Sequence, residues 1–409
     1  MSKKEKILCG LDIGTTKVCL IIARATGERG VEIVSTGYAH SQGLKKGIVV
    51  DLEEAAAAIR RAAEEAELKS GVSVDWVTVG VSGDHVLSFN CHGAISIEGK
   101  HHEVTLEDVA QVIQAAQTIP IPPDREILHV LPQEFFLDNR GEISNPVGLT
   151  GSRLDVNVHV VSSEATLIQN LVNAVNRSDM RVQKLVLEQL ASAEAVLTAD
   201  EKELGVALID IGGGTTDVAV LARKAVRYTS VLPVGGEHFT RDLAIGLRTP
   251  IEDAERIKKE SGSVVTEGIA ADEYVEVPGV GTRPPRKLSR GVVCHILRER
   301  ALQVLQLVRC EIERSGCREQ LTSGAVLTGG GSLLDGLLEL AEGILEMPVR
   351  QGLPQGVLGL TEDLSHPVYA TAVGLALYGA QSERGVKRRR EKASASPWLL
   401  NRLLSWVMS

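Results

Sequence analysis

Short apolar runs separated by glycine-bearing turns fill the first forty residues. Residues 7–12 and 18–23 are apolar and are joined by Ile13-Gly14-Thr15-Thr16-Lys17, a pattern that predicts a β-hairpin. A third run at 30–38 predicts the next strand. Residues 53–69 are rich in alanine with interspersed Glu and Arg, which predicts a helix. Residues 74–81 return to strand character and run into Ser82-Gly83-Asp84, a turn.

The texture changes from 84 to 162. Alternating stretches at 86–89, 94–98 and 156–161 surround one helix expected at 106–117, ended by the cluster Pro120, Pro122 and Pro123. This predicts an inserted α+β unit of about 75–80 residues, within the usual size of a domain. Ser163 is expected to cap the next helix, with Glu164 in its first turn. From Val206 the opening pattern recurs as an apolar run at 207–210, then Ile211-Gly212-Gly213-Gly214-Thr215-Thr216, then a run at 217–221. Such a repeat predicts an α/β fold with two similar halves facing one cleft. Helices are expected at 237–247, 251–260 and 289–315, a strand and glycine turn at 325–331, and a helix from about Leu334.

Composition narrows the picture. With 409 residues the chain has room for two to four domains, and only 3% aromatic residues leave the core to Val, Leu, Ile and Ala. The net charge of −9 argues against nucleic acid as a partner. Six cysteines without a CxxC pair read as small buried hydrophobes in a reducing compartment. No apolar stretch reaches the roughly 18 residues of a membrane span, and the N-terminus lacks a signal-peptide pattern, so a cytoplasmic protein is expected.

The turns carry the chemistry. Gly14 lets backbone N–H groups approach an anion, Thr15 and Thr16 add hydroxyls, and Lys17 adds charge. Asp12, at a strand end, is placed to hold the water shell of Mg²⁺. Asp210 with Gly212, Gly213, Gly214, Thr215 and Thr216 offers the same equipment from the second half. Thr328-Gly329-Gly330-Gly331-Ser332 would allow a base or ribose close to the backbone, and Glu255 and Lys258 could clasp the ribose and adenine edge. Any one glycine turn is more often a plain hairpin than a site, but four such elements in series point to a polyphosphate with Mg²⁺. Neither GxxxxGK[ST] nor a GxGxxG after a strand occurs, so the site is neither a P-loop nor a Rossmann site.

The set Gly10-Leu-Asp-Ile-Gly-Thr-Thr-Lys17, Asp210-Ile-Gly-Gly-Gly-Thr-Thr-Asp217, Gly235-Gly-Glu-His-Phe-Thr-Arg-Asp-Leu243, Ala254-Glu-Arg-Ile-Lys258 and Thr328-Gly-Gly-Gly-Ser332 resembles the bacterial actin homologues, and among them the FtsA family of cell-division proteins. The resemblance covers nearly the whole chain, including the insertion and the tail. It implies an actin-like ATPase fold binding ATP and Mg²⁺. Subdomain 1A would comprise 1–83, 163–200 and 364–382, and the insertion 84–162 would be subdomain 1C. Subdomain 2A would comprise 201–246 and 325–363, and subdomain 2B 247–324. By the same resemblance the protein would anchor the tubulin-like FtsZ to the cytoplasmic membrane at the division site, recruit later division proteins and self-associate into filaments. Glu188 is the candidate for positioning an attacking water, although Gln189 stands where the family has proline; a carboxylate at a helix N-terminus is the competing account.

The last residues differ from the rest. A basic flexible linker is expected at 383–396, followed by an amphipathic helix at 397–409. Trp398, Leu399, Leu400, Leu403, Leu404, Trp406 and Val407 form its apolar surface, with Asn401, Ser405 and Ser409 on a narrow polar stripe. At about 1.5 Å per residue it would be ~20 Å long, too short for a hydrocarbon core of about 30 Å. It would lie in the interface of an anionic leaflet, beside Lys387, Arg388, Arg389, Arg390 and Lys392. Arg286, Lys287, Arg290, Arg298 and Arg300 form a further basic stretch, either a solvated helix face or a seat for an acidic partner tail. A soluble small-molecule kinase and a pilus-assembly actin homologue are the alternative readings; an Hsp70-type chaperone would need far more chain after the core.

Overall fold

The computed structural model describes residues 6–26, 30–98, 102–118, 121–270 and 272–390, and for 381–390 the backbone alone. The expected tail helix at 397–409, the preceding 391–396 and Pro120 lie outside the described residues.

The chain opens with β1 (Lys6–Ile13), β2 (Lys17–Thr26) and β3 (Gly30–His40), an antiparallel meander, followed by the short pair β4 (Leu44–Lys45) and β5 (Ile48–Val49). Helix α1 (Leu52–Ser70) starts where the Asp51 carboxylate accepts the Glu53 and Glu54 N–H groups, and it stops at Gly71 with φ 68°. Its buried face is almost all alanine, so its backbone comes so close to β3 that a β-carbon on Gly37 would collide with the Ala62 carbonyl. Strand β6 (Trp76–Val81) follows, parallel to β1.

The insertion consists of β7 (Leu87–Ser96), α2 (Leu106–Ala116), β8 (Arg125–Leu137), β9 (Arg140–Ile143) and β10 (Arg153–Glu164), in sheet order β7-β10-β8-β9. It has its own core, in which Val109, Val112 and Ile113 of α2 meet Leu154, Val156 and Val158 of β10. The runs at 86–89 and 94–98 are parts of the one strand β7. Ser163 does not cap a helix. The β8–β10 ladder continues to the pair Arg125 and Glu164, which keeps Ser163 extended and leaves its buried Oγ without a partner. Helix α3 (Ala165–Arg177) therefore begins without a side-chain cap.

After α3, β11 (Arg181–Leu187) completes the first sheet, order β11-β6-β1-β2-β3, and leads straight into α4 (Glu188–Val196). The second half adds α5 (Ala199–Leu204), β12 (Val206–Ile211), β13 (Thr216–Ala222), β14 (Ala225–Leu232), α6 (Gly236–Leu247) and α7 (Ile251–Ser261). Next come the pair β15 (Tyr274–Val277) and β16 (Arg286–Ser289), α8 (Arg290–Arg314), β17 (Ala325–Thr328), α9 (Leu337–Leu345), β18 (Val349–Gln351) and α10 (Ala370–Arg390). Its sheet runs β14-β13-β12-β17-β18, with the same strand directions as the first sheet. The duplication in sequence is thus a duplication of topology.

Helices α4 and α10 lie between the two sheets. Leu190, Ala193, Val373 and Ala376 share one core with Leu11 and Leu20 of the first sheet and with Leu208 and Ala219 of the second. The opposite face of the second sheet, with Ile209, Ile211 and Val218, packs on α6 to α9. Helix α10 runs to Arg390, eight residues into the stretch expected as linker, because Glu, Lys and Arg are good helix formers. Helix α9 starts at Leu337 rather than Leu334, since a 3₁₀ turn over Gly330–Leu333 comes first. Four cysteines are buried as expected, but Cys317 is half-buried and Cys310 is exposed on α8. Among the described residues no helix is long and apolar enough to cross a membrane.

Candidate functional site: two facing turns and a buried acid cluster

The two repeated turns have one geometry. In each, four residues connect the paired strands: Ile13 pairs with Val18, and Ile211 pairs with Thr216. Each loop is closed by one hydrogen bond of 2.9 Å, from Gly14 N–H to the Lys17 carbonyl and from Gly212 N–H to the Thr215 carbonyl. Equal loop length makes Thr15 and Thr16 the counterparts of Gly213 and Gly214, not of Thr215 and Thr216. The turns also touch. A β-carbon on Gly213 would lie 2.5 Å from Thr16 Cγ2, and one on Gly214 would collide with Thr15 Oγ1. Glycine at these two positions is what lets the halves approach.

Beneath the turns lie Asp12, Asp210, Asp217 and Glu188. Asp12 Oδ2 accepts from Lys17 Nζ at 2.5 Å, and the attraction of Asp12 holds the lysine pKa above its ordinary value although burial opposes it. Asp210 accepts from Ser192 Oγ at 2.7 Å and Thr371 Oγ1 at 3.2 Å, so α4 and α10 both grip it. Asp217 accepts from Ser82 Oγ (2.6 Å), Gln189 Nε2 (2.8 Å) and Thr215 Oγ1 (3.0 Å). Glu188 opens α4 and lies over Gly80, where a β-carbon would come 3.0 Å from its Oε1. Burial pushes the pKa of Glu188 well up, and repulsion from Asp12, Asp217 and Asp210 adds to it. Burial likewise raises Asp210, and it pushes Asp217 up to about 7. Four acids around one lysine form a site that favours a cation.

Other residues expected at the site have mixed positions. The Thr216 hydroxyl is buried and donates to the Val234 carbonyl at 2.7 Å, so it faces the core rather than the cleft. Lys258 Nζ bridges Glu255 (2.6 Å), Thr240 Oγ1 (2.8 Å) and the Gly236 carbonyl (3.1 Å), while Gly236 N–H donates to the Gly212 carbonyl. Glu255 and Lys258 thus reach the second turn through α6. Gly329, at φ 80°, and Gly331 lie against Asp210 and Ile211, so their close approach is to β12; Gly330 has only Val368 near, at 3.6 Å. Ser332 Oγ donates to the Gly329 carbonyl at 2.7 Å and is buried.

Sequence reasoning did not assign Ser82, Gln189, Ser192, Asp217 or Thr371 to the site. Asp217 ends the quoted second motif, Ser192 stands one helical turn after Glu188, and Gln189 stands where the family has proline; those three left a signal, Ser82 and Thr371 none. The basic stretch near 283–300 is largely tied down: Arg290 pairs with Glu273, Arg300 with Asp242, Arg298 donates to the Val264 carbonyl and Arg286 to that of Leu247.

Comparison with known proteins places this arrangement. The family described as "Cell division protein FtsA" matches residues 207–374, and "SHS2 domain inserted in FTSA" matches residues 83–162. Cell division protein FtsA of Pseudomonas aeruginosa is 43% identical over 92% of this chain and 90% of its own length. FtsA of Escherichia coli is 38% identical over 98% of each chain. FtsA of Bacillus subtilis is 35% identical over 93% of this chain and 85% of its own. Among solved structures, the "PilM-PilN type IV pilus biogenesis complex" superposes with a TM-score of 0.65 at 18% identity, over 91% of this chain and 98% of that one. MreB5 of Spiroplasma citri bound to ADP gives 0.57 at 14% identity, over 95% and 99%. At those identities the structures speak for the actin-like fold alone, whereas the curated relatives, matched over nearly all of both chains, show that this chain belongs to the FtsA family of actin-like cell-division proteins.

Proposed function

We propose that this chain binds ATP with Mg²⁺ between its two turns and works as a membrane-tethered adaptor that anchors FtsZ at the division site. The observation that carries the proposal is the duplicated turn, with Asp12 and Asp210 at equivalent strand ends within a buried acid cluster. Gly14, Thr15, Thr16 and Lys17, with Gly212, Gly213, Gly214 and Thr215, are the groups that would hold phosphates. Glu255, Lys258 and Gly330 stand towards the nucleoside. Among the described residues no three His, Cys, Asp or Glu side chains converge on one metal position, so Mg²⁺ would be held by Asp12 and Asp210 through its water shell. The ion would supply charge neutralisation both to phosphates and to the buried acids. Glu188 serves to orient a water near the phosphates, and its raised pKa keeps its charge dependent on that neutralisation.

The actin-like body supports self-association into filaments, and the 397–409 segment supports a tether to anionic lipid on the cytoplasmic face, where later division proteins would also be met. Co-sedimentation of the full chain with anionic liposomes, beside Trp406→Glu, tests the tether. Wild type should pellet and the variant should stay in the supernatant; equal pelleting of both would remove the tail from the mechanism. Titration with a fluorescent ATP analogue, with and without Mg²⁺, tests the nucleotide. Absence of binding in both conditions would overturn the reading of the turns.

A further inference from the structure

The β4–β5 hairpin has no part in the site described so far. Its loop is the two residues Lys46 and Gly47, both left-handed at φ 52° and 79°. That turn favours Asn or Gly at its first position, and a lysine held there is sterically disfavoured. The hairpin reaches across the cleft. A β-carbon on Gly214 would come 3.1 Å from Lys46 Cα, so the lysine backbone covers the second turn beside Thr15. Gly47 fits closely against the carbonyl of Ser82, whose hydroxyl donates to Asp217.

Lys45 and Lys46 line a cavity of about 150 Å³ together with Glu237, His238 and Arg241 from the first turns of α6. Among the described residues Lys45, Lys46 and Arg241 make no side-chain hydrogen bond or ion pair with the chain. His238 Nδ1 accepts from Gly235 N–H at 3.1 Å, which leaves the proton of the neutral ring on Nε2. Burial, reinforced by Arg300 and Lys46, lowers its pKa and keeps it neutral. Among the described residues Glu237 is the only acid in the lining; burial raises its pKa, against the attraction of Arg241, Lys258 and Lys45. Three cations without an ion-pair contact outnumber the one carboxylate, and this excess of positive charge, contributed by both halves, fits an anion of phosphate size.

We propose that Lys45, Lys46 and Arg241 form a subsite for a terminal phosphate group, through which the first half recognises a nucleoside triphosphate in preference to a diphosphate and closes onto α6. This rests on the nucleotide reading of the turns. Phosphate could reach the cavity as the end of a bound triphosphate or as the free ion, so the test has an arm for each. Lys46→Asn removes the charge while suiting the turn better, so the variant should fold at least as well as wild type. Fluorescent ATP and ADP analogues are titrated into wild type, Lys46→Asn and Arg241→Ala. Each variant should lose roughly tenfold or more in ATP affinity, the loss of a charge-assisted contact, with ADP affinity within about twofold of wild type. In the second arm, inorganic phosphate is added to the ADP complex. Tighter ADP binding in wild type but not in the variants would show that the subsite also takes the free ion, whereas no effect on wild type would confine it to the triphosphate end. Equal losses for ATP and ADP, or none, would overturn the subsite while leaving the nucleotide site standing. Wild type that binds neither analogue would refute the nucleotide reading, and the subsite with it.

Discussion

Asp217 shows what burial does to an acid inside this cluster. Three donors reach its carboxylate, yet burial still pushes its pKa up to about 7, against an ordinary value near 4. The folded chain therefore keeps this proton at pH values where the unfolded chain has released it. Its contribution to stability is complete below about pH 4 and is lost as pH rises towards 7. Without Mg²⁺, thermal unfolding should shift downward between pH 5 and 8. Asp217→Asn should raise the midpoint at pH 8 by roughly 2–4 °C, about what 1 kcal/mol does in a domain of this size, and change little at pH 5. The hydroxyls of Ser82 and Thr215 can reverse direction to suit the amide. Equal destabilisation at both pH values would show that the hydrogen bonds outweigh the charge. The acids Asp12 and Asp210 were legible in the sequence because the repeat marks both. Their partners were not: Thr371 reaches Asp210 from 161 positions away, and Ser82 reaches Asp217 from 135, separations that leave no local pattern.

Elements were read from periodicity, and periodicity reports which face is buried, not how closely two backbones approach. The hairpins, α1, α2 and the repeat in the second half followed from it. Periodicity does not register the glycines that set the spacing between elements. Gly374 lies inside α10, where alanine would ordinarily be worth about 1 kcal/mol more. A β-carbon there would collide with the Ala191 carbonyl of α4, so Gly374→Ala should destabilise the chain by about 1–3 kcal/mol, the range for overpacking a core. Gly343 in α9 is the control: a β-carbon there meets nothing within 4 Å, and Gly343→Ala should stabilise by up to about 1 kcal/mol. Chemical denaturation of the two variants should give shifts of opposite sign. Two stabilising substitutions would mean that α10 can move off α4. The misplaced cap at Ser163 has the same origin, since the strand pairing that extends β10 involves Arg125, far away in sequence.

At the scale of the molecule, the insertion is a domain by its own core and a part of the whole through Leu128, Leu131 and Val161, which enter the core of the first sheet, and through a seam with the second. Strand β14 is an edge of the second sheet, and side chains of the insertion cover it: Ser88 Oγ donates to the Thr229 carbonyl (2.7 Å), Gln133 Nε2 to that of Val226 (2.8 Å) and Asn90 Nδ2 to that of Arg227 (3.2 Å). His159 sits in this seam, 1% exposed, with Nδ1 2.7 Å from Asn90 Oδ1 and Nε2 2.9 Å from Thr229 Oγ1. The Asn90 oxygen can only accept, so Nδ1 carries the proton and Nε2 accepts from the threonine. Burial pushes the pKa of His159 down to about 4, so below the ordinary value near 6.5 the unfolded chain takes up a proton that the folded chain refuses. Its contribution is complete above that value and is lost as pH falls towards 4, by up to about 2 kcal/mol at pH 5. His159→Leu should cost about 1–3 kcal/mol at pH 7.5, because Asn90 and Thr229 lose their partner. The variant has no proton to refuse, so its deficit should shrink by roughly 2 kcal/mol at pH 5, measured as a difference of unfolding free energies. Arg223, Arg227, Glu134 and Glu142 flank the seam, and they and the acid cluster are the same in both chains, so their titration cancels in that difference. A deficit that stays constant with pH would mean that His159 charges in place without opening the seam.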